Sequence, residues 1–292
     1  MTLRVLWRVL AQALVSADID DGDLEARLIL EAVTQRTFSQ MMRDLSEPVS
    51  MIHVKQARKY AKRRVTGMPL GYVLGHWDFM AHRYAVGPGV LIPRPETEGL
   101  VHTVIAAVRE QGWDRQLLTI LELGVGSGVL SIELALALPQ ARVIGWEKSR
   151  RAARIAVQNA TALGADIEVV SGDFFAKTAA WRGVLAPQTR RAGPVILVSN
   201  PPYVTDGEWQ GLEAHVRDFE PRAALVGGMD GLDFYRRVIL AVSRLHKIPM
   251  FFEIGMSQGG AVVALGAQEG YQGVIHPDLN GRPRIVTLRP ND

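Results

Sequence analysis

The chain contains no cysteine among its 292 residues. Disulfides, thiolate metal sites and cysteine nucleophiles are therefore excluded. No apolar run approaches the length that crosses a bilayer. Charge of neither sign dominates: 33 basic and 30 acidic residues leave a net charge of +3. That balance does not announce a nucleic-acid binder and leaves room only for local basic patches. Repeats and low-complexity stretches are absent. What is present is apolar content of 48 %, enough for a substantial core, in a length that fits one large domain and a small one.

The opening MTLRVLWRVLAQALVSA has the look of a short leader, but Arg8 and Gln12 interrupt it. Leu3, Leu6, Trp7, Leu10 and Leu14 fall on one helical stripe, so an amphipathic first helix is expected. Asp18, Asp20, Asp21 and Asp23 follow as a helix end and a new start. An intracellular, soluble chain is expected. Residues 1–65 read as helical throughout, with a second helix carrying Leu24, Leu28, Leu30 and Val33 and a break near Ser46-Glu47-Pro48. A helix over roughly 50–65 ends in Lys62, Arg63 and Arg64, which suit its C-terminal dipole. With Arg58 and Lys59 these cations read first as a solvated face, second as a contact for an acidic partner. Gly and Pro punctuate residues 68–98, where Arg83–Val86 and Val90–Ile92 read as short β pieces of a hairpin linker. Pro95 suits a first helical turn, with Glu96 and Glu98 near its N-terminus. Arg94 is unexplained by that reading and is a candidate for approaching substrate or cofactor. The expected organisation is a helical domain over 1–67, a hairpin linker over 68–98 and an α/β domain over 99–292.

Beyond residue 100, helix and strand patterns alternate. Strands are expected at Thr119–Leu123, Val143–Trp146, Ile167–Val170, Val195–Ser199 and Met250–Ile254, and edge-type strands near Tyr271–Ile275 and Arg284–Leu288. Helices are expected at Leu100–Arg109, up to Leu138, and over Ala152–Leu163, Leu232–Leu245 and Gly259–Gln268. This is a doubly wound, mostly parallel seven-stranded sheet with helices on both faces. Residues 176–194 form a long polar loop.

Ligands of such sheets bind beyond the carboxyl ends of the strands. Four strand ends carry suitable groups. After the first, Gly124, Gly126 and Gly128 spell G-x-G-x-G behind Glu122. A dinucleotide site spaces its glycines G-x-G-x-x-G to seat a pyrophosphate on a helix N-terminus. Here the third glycine comes one residue early, and an acid precedes the turn, which suits a cationic ligand better than a phosphate. S-adenosylmethionine carries a sulfonium and an amino group and no phosphate. Glu147 closes the second strand, where a carboxylate accepts ribose hydroxyls. Asp173 and Phe174 follow the third, one suited to the adenine amino group and the other to stacking on the ring. Singly, each has a plain alternative: a cap neighbour, a turn former, a core aromatic. After the fourth strand, VILVS runs into Asn200-Pro201-Pro202-Tyr203. Two prolines with fixed φ and no amide hydrogen end the strand and stiffen the turn. A Pro-rich turn accounts for the shape but not for the Asn and the Tyr.

The order G-x-G-x-G, acid at the second strand end and NPPY at the fourth resembles class I S-adenosylmethionine-dependent methyltransferases acting on a planar nitrogen. The segments PLGYVLG at 69–75, LIPRPETE at 91–98, FEPRAALVGGMDGLDFYR at 219–236, FEIGMSQG at 252–259 and DLNGRPRIV at 278–286 resemble the release factor glutamine methyltransferase family over nearly the whole chain. The resemblance implies a Rossmann-like class I fold, S-adenosylmethionine as cofactor and no metal. It implies as substrate the glutamine of the GGQ loop in class I peptide chain release factors, with no membrane and no obligatory nucleic acid as partner. Glu122, Gly124, Gly126, Gly128, Glu147, Asp173, Phe174 and Asn200 are the expected cofactor residues. Asn200, Pro201, Pro202 and Tyr203, with Arg94, are the expected catalytic and substrate residues. A ribosomal-protein glutamine methyltransferase and an NPPY-type rRNA or DNA methyltransferase are the alternatives. The chain departs from the family pattern in several places: Val125 and Ser127 where threonines are common, Glu147 for the more usual Asp, the long 176–194 loop, no aspartate early in the NPPY strand, and no glycine pair in Leu245–Pro249. None removes a group the chemistry needs.

Overall fold

A computed structural model describes residues 1–176, 183, 193–278 and 280–291, so most of the expected polar loop lies outside the described residues. The chain divides into two compact units, Met1–His76 with Glu213–Phe219, and Trp77–Leu212 with Glu220–Asp292.

The first unit is helical. Helix α1 (Leu3–Val15) is capped by the Thr2 hydroxyl, which accepts the Val5 amide, and buries Leu3, Leu6, Leu10 and Leu14 as the stripe predicts. In α2 (Gly22–Thr34) the inner face is Ala26, Ile29, Leu30 and Val33, while Leu24 is 43 % exposed. A short α3 (Phe38–Arg43), within the stretch expected to be helical but separate from α2, is held by a capping box between Thr37 and Gln40. The basic run on α4 (Met51–Val65) splits. Lys55, Arg58, Lys59 and Lys62 face solvent. Arg64 instead grips Glu25 of α2 bidentately, at 2.6 and 3.0 Å, with both side chains largely buried. Helix α5 (Leu70–Leu74) occupies PLGYVLG, where the sequence suggested only linker.

A two-stranded hairpin follows, β1 (His76–Phe79) and β2 (His82–Ala85), with the second unit beginning at Trp77 in its first strand. Residues 90–92 are not a strand. Glycines and prolines on either side leave no room for a ladder, and the Ile92 amide is satisfied by the Glu220 side chain at 3.1 Å. Next come α6 (Glu96–Glu110), β3 (Thr119–Leu123), α7 (Val129–Ala137), β4 (Arg142–Glu147), α8 (Arg150–Leu163), β5 (Ile167–Ser171) and β6 (Val195–Ser199). Three short helices follow, α9 (Asp206–Trp209), α10 (Ala214–Arg217, within the first unit) and α11 (Arg222–Leu225). The chain closes with α12 (Asp233–Ser243), β7 (Met250–Glu253), α13 (Gly259–Gln268), β8 (Tyr271–Pro277) and β9 (Pro283–Pro290).

The sheet order is β5-β4-β3-β6-β7-β9-β8. All pairings from β5 to β7 are parallel, and β9 runs antiparallel to both its neighbours. So of the last two strands β9 is interior and β8 alone is an edge, β5 being the edge on the opposite side, which corrects the expectation that both were edge-type. Alternate residues feed two cores. Leu121, Leu123, Leu197, Met250 and Phe252 pack with α12 residues Tyr235, Val238 and Ile239. Ile120, Ile196, Val198 and Phe251 pack with α6 and α7 residues Leu100, Val104 and Leu130. Strands buried on both faces carry uninterrupted apolar runs, and each such side chain contributes about 1.5–3 kcal/mol.

Candidate active site

The topology selects the location. From β3 the chain winds outward through β4 and β5, then crosses back to β6 on the other side of β3. The β3/β6 boundary is therefore the switch point, where the crevice for a ligand opens. Glu122 pairs with Val198 in register, so the turn after β3 and the corner after β6 emerge side by side. The Ser199 hydroxyl donates to the Leu123 carbonyl at 2.6 Å and ties the two ends together.

Gly124, Gly126 and Gly128 all have positive φ, at 81°, 60° and 92°. This is the left-handed region that glycine enters without strain. A Cβ on Gly124 or Gly126 would meet nothing within 4 Å, so both border open space, while one on Gly128 would press on Ile132 and Ala156. The first two glycines thus line a cradle and the third packs α7 against α8. Glu147 holds the cradle: its carboxylate accepts the Gly126 amide at 2.9 Å and the Ser149 amide at 2.7 Å. Glu122 is buried beneath, accepting a very short hydrogen bond from the Ser131 hydroxyl of α7. Burial pushes its pKa up to about 8, the Ser131 hydrogen bonds oppose that rise, and the charge of Glu147 adds to it. Asn159, which sequence reasoning missed, donates to the Ser127 carbonyl at 2.8 Å and exchanges hydrogen bonds with the Ala85 backbone, pinning the turn to the hairpin.

Asp173 is half-exposed after β5, caps the Phe175 amide at 2.9 Å, and has the Lys148 ammonium 3.5 Å away. Phe174 is only 6 % exposed and meets the edge of Trp146 at 5.7 Å between centroids. Its ring belongs to the core beneath the β4 and β5 ends.

At the β6 corner Pro201 is buried, and Asn200, Pro202 and Tyr203 are half-buried. The Asn200 side-chain nitrogen donates to Thr97 Oγ1 at 2.9 Å. Thr97 in turn donates to Glu253 Oε2 at 2.7 Å, and the Tyr203 hydroxyl donates to Glu253 Oε1 at 3.4 Å. Burial raises the Tyr203 phenol well above its ordinary pKa, and the Glu253 charge acts the same way, so it stays neutral. Behind the corner, Gln258 donates to the Tyr203 carbonyl at 2.8 Å while accepting the Gly255 amide at 2.9 Å. Thr97, Glu253 and Gln258 escaped the sequence reading. Glu253 carried a usable signal: like Glu147, it is an acid closing an apolar strand.

Arg94 has a partner the sequence did not indicate. Its guanidinium donates to Glu220 Oε1 at 2.6 Å, with Glu220 only 1 % and Arg94 29 % exposed. Since Glu220 Oε2 takes the Ile92 amide, one carboxylate fastens the 90–95 loop to the segment before α11. This joins Arg94, which the sequence alone left unexplained, to the FEPRAAL stretch. Glu220→Ala is expected to cost about 2–3 kcal/mol, less than the ~3–5 for breaking a wholly buried pair, because Arg94 retains some solvent. Chemical denaturation measures it, and an unshifted midpoint refutes the brace.

A parallel sheet with one antiparallel strand inserted beyond its last central strand, and a glycine cradle at its switch point, is the class I methyltransferase fold; the chain is a methyltransferase. Residues 120–182 match the family description "Methyltransferase domain" and residues 6–75 match "PrmC N-terminal domain". The release factor glutamine methyltransferase of Neisseria gonorrhoeae is 37 % identical over 90 % of this chain and 92 % of its own length. Those of Moorella thermoacetica and Bacillus cereus are 35 % identical over 97 % of each chain, and 33 % identical over 84 % of this chain and 85 % of the relative. The chain belongs to the release factor glutamine methyltransferase family. Among the described residues, no helix is long and apolar enough to cross a membrane.

Proposed function

We propose that this chain transfers the methyl group of S-adenosylmethionine to the side-chain amide nitrogen of the glutamine in the GGQ loop of class I peptide chain release factors, in the cytoplasm. The observation that carries this reading is the Asn200 carboxamide at the switch point, nitrogen turned to Thr97 and beside a cradle open at Gly124 and Gly126. The cradle fits an adenosyl ligand: glycines where a side chain would intrude, and Glu147 and Asp173 at successive strand ends.

Bound S-adenosylmethionine supplies a methyl group already activated by the sulfonium. An amide nitrogen is a poor nucleophile because its lone pair is delocalised, so the residues of this chain mainly position and orient it. Asn200 Oδ1 accepts one amide hydrogen. A backbone carbonyl of the corner accepts the other, and Pro201 is the better placed of the two prolines. The Pro202 oxygen abuts Gly227, where even a Cβ would come within 2.4 Å of it. Two acceptors fix the plane of the amide and stabilise positive charge developing on nitrogen. The neutral Tyr203 ring packs on the amide face. Arg94, through Glu220, shapes the substrate wall.

The test is incubation of the purified chain with release factor and methyl-labelled S-adenosylmethionine, followed by peptide mapping. Label on the GGQ glutamine, lost when that glutamine is replaced by alanine, is the expected result. Label on a ribosomal protein, RNA or DNA with the release factor unlabelled overturns the proposal.

A further inference from the structure

A polar relay runs behind the corner and joins residues far apart in sequence. Glu253, at the end of β7, is wholly buried and accepts the Thr97 hydroxyl at 2.7 Å. Thr97, in the first turn of α6 and also buried, accepts the Asn200 side-chain nitrogen at 2.9 Å. The second oxygen of the same carboxylate accepts the Tyr203 hydroxyl. A hydroxyl has one proton to donate. With that proton on Glu253, Thr97 has only lone pairs for Asn200. The carboxamide must then turn its nitrogen to Thr97 and its oxygen away.

We infer that Thr97 and Glu253 are positioning residues for methyl transfer: ionised Glu253, acting through the Thr97 hydroxyl, holds Asn200 in the one orientation that presents its oxygen to the substrate amide, and with its other oxygen steadies Tyr203. The inference rests on the role given to Asn200 in the proposed function. It gives PRPET and FEIG, two stretches marked by the sequence, a shared purpose at the corner.

The proton inventory gives the pH dependence its sign. Burial raises the Glu253 pKa to about 7, and Glu96 acts in the same direction. Thr97, Arg284 and Tyr203 oppose the rise, and the Tyr235 hydroxyl faces the residue through its backbone carbonyl at 2.7 Å. Above that pKa the carboxylate accepts from Thr97. Below it the acid donates to Thr97, whose own proton then turns toward Asn200 and favours the flipped carboxamide. Transfer therefore falls as pH drops through about 7.

The experiment uses the full chain with release factor and saturating S-adenosylmethionine, comparing Thr97→Val, Thr97→Ser and Glu253→Gln. Thr97→Val preserves shape and removes the hydroxyl. It is expected to lower kcat by about 10- to 100-fold with the donor Kd unmoved, and to lower the thermal midpoint because it orphans a buried carboxylate and the Asn200 nitrogen; Thr97→Ser is expected to restore most of both losses. The acid limb of the wild-type kcat profile is expected to vanish in Glu253→Gln. Wild-type kcat in Thr97→Val, or an acid limb that survives in Glu253→Gln, overturns the inference. A second readout needs no turnover: the side-chain amide resonances of Asn200 in 15N-labelled protein, assigned by their loss in Asn200→Asp. In the wild type one proton of the pair is expected to exchange slowly with water, and Thr97→Val is expected to abolish that protection. Resonances indifferent to Thr97→Val refute the relay whatever the substrate, whereas failure of the wild type to methylate release factor refutes only the proposed function.

Discussion

Asn200→Ala is expected to lower methyl transfer to release factor by about 10²–10³-fold while changing S-adenosylmethionine affinity by less than about twofold. The two effects separate because the side chain of Asn200 is bonded to Thr97 and not to the cradle. The cradle hangs on Glu147, Ser131 and Asn159, none of which the substitution touches. The loss falls on kcat, since the contact matters most as charge develops on the substrate nitrogen, and KM for release factor moves little. Asn200→Asp is a demanding companion. It keeps an acceptor, but it removes the donor to Thr97 and adds a charge near Glu253, so it rescues little. Single-turnover transfer and calorimetric donor binding on the same preparations decide the matter. Near-wild-type transfer by Asn200→Ala removes the residue from the chemistry.

The contrast between what the sequence reveals and what it conceals at this site follows from the range of the contacts. Val195–Ser199 is legible to the residue because a strand buried on both faces has no polar interruption. The glycine turn is legible because three residues in five must take positive φ. Helix α5 is not, since five residues show no period. The interior position of β9 is not either. Ile285, Val286 and Leu288 are as apolar as an edge strand covered by a helix would be, and only pairing with β7 distinguishes them. The same limit governs the site. Asn200 was visible in its motif, but Thr97 stands 103 residues from it and 156 from Glu253. Arg94 and Glu220 are 126 apart, so Arg94 looked like an unemployed charge until the fold brought them together.

Gly227→Ala is expected to abolish most transfer although it replaces no residue that meets the ligands. The corner is clamped from behind by the segment between α11 and α12. Val204 bridges Val226, the Val204 amide donates to the Leu225 carbonyl at 2.8 Å, and the Gly227 amide returns to the Val204 carbonyl at 2.9 Å. A Cβ on Gly227 would lie 2.4 Å from the Pro202 oxygen and 2.7 Å from the Gly231 oxygen. Both are backbone atoms, so no side chain can swing aside. Gly231 cannot retreat, because its own Cα faces the Tyr203 carbonyl and Gln258 so closely that it too excludes a side chain. The strain must therefore move Pro202 and the residues joined to it. A displacement near 1 Å at a positioning group costs about 10²-fold in rate, and overpacking costs about 1–3 kcal/mol in stability. Gly207→Ala in α9 is the control: its nearest neighbour would be the Thr205 hydroxyl at 3.9 Å, and transfer stays at the wild-type level. Measured side by side, kcat and the thermal midpoint should both fall in Gly227→Ala and in neither respect in Gly207→Ala. If Gly227→Ala transfers as the wild type does, the corner is not held rigid from this side, and the stiffness on which the amide geometry depends has to come from the two prolines alone.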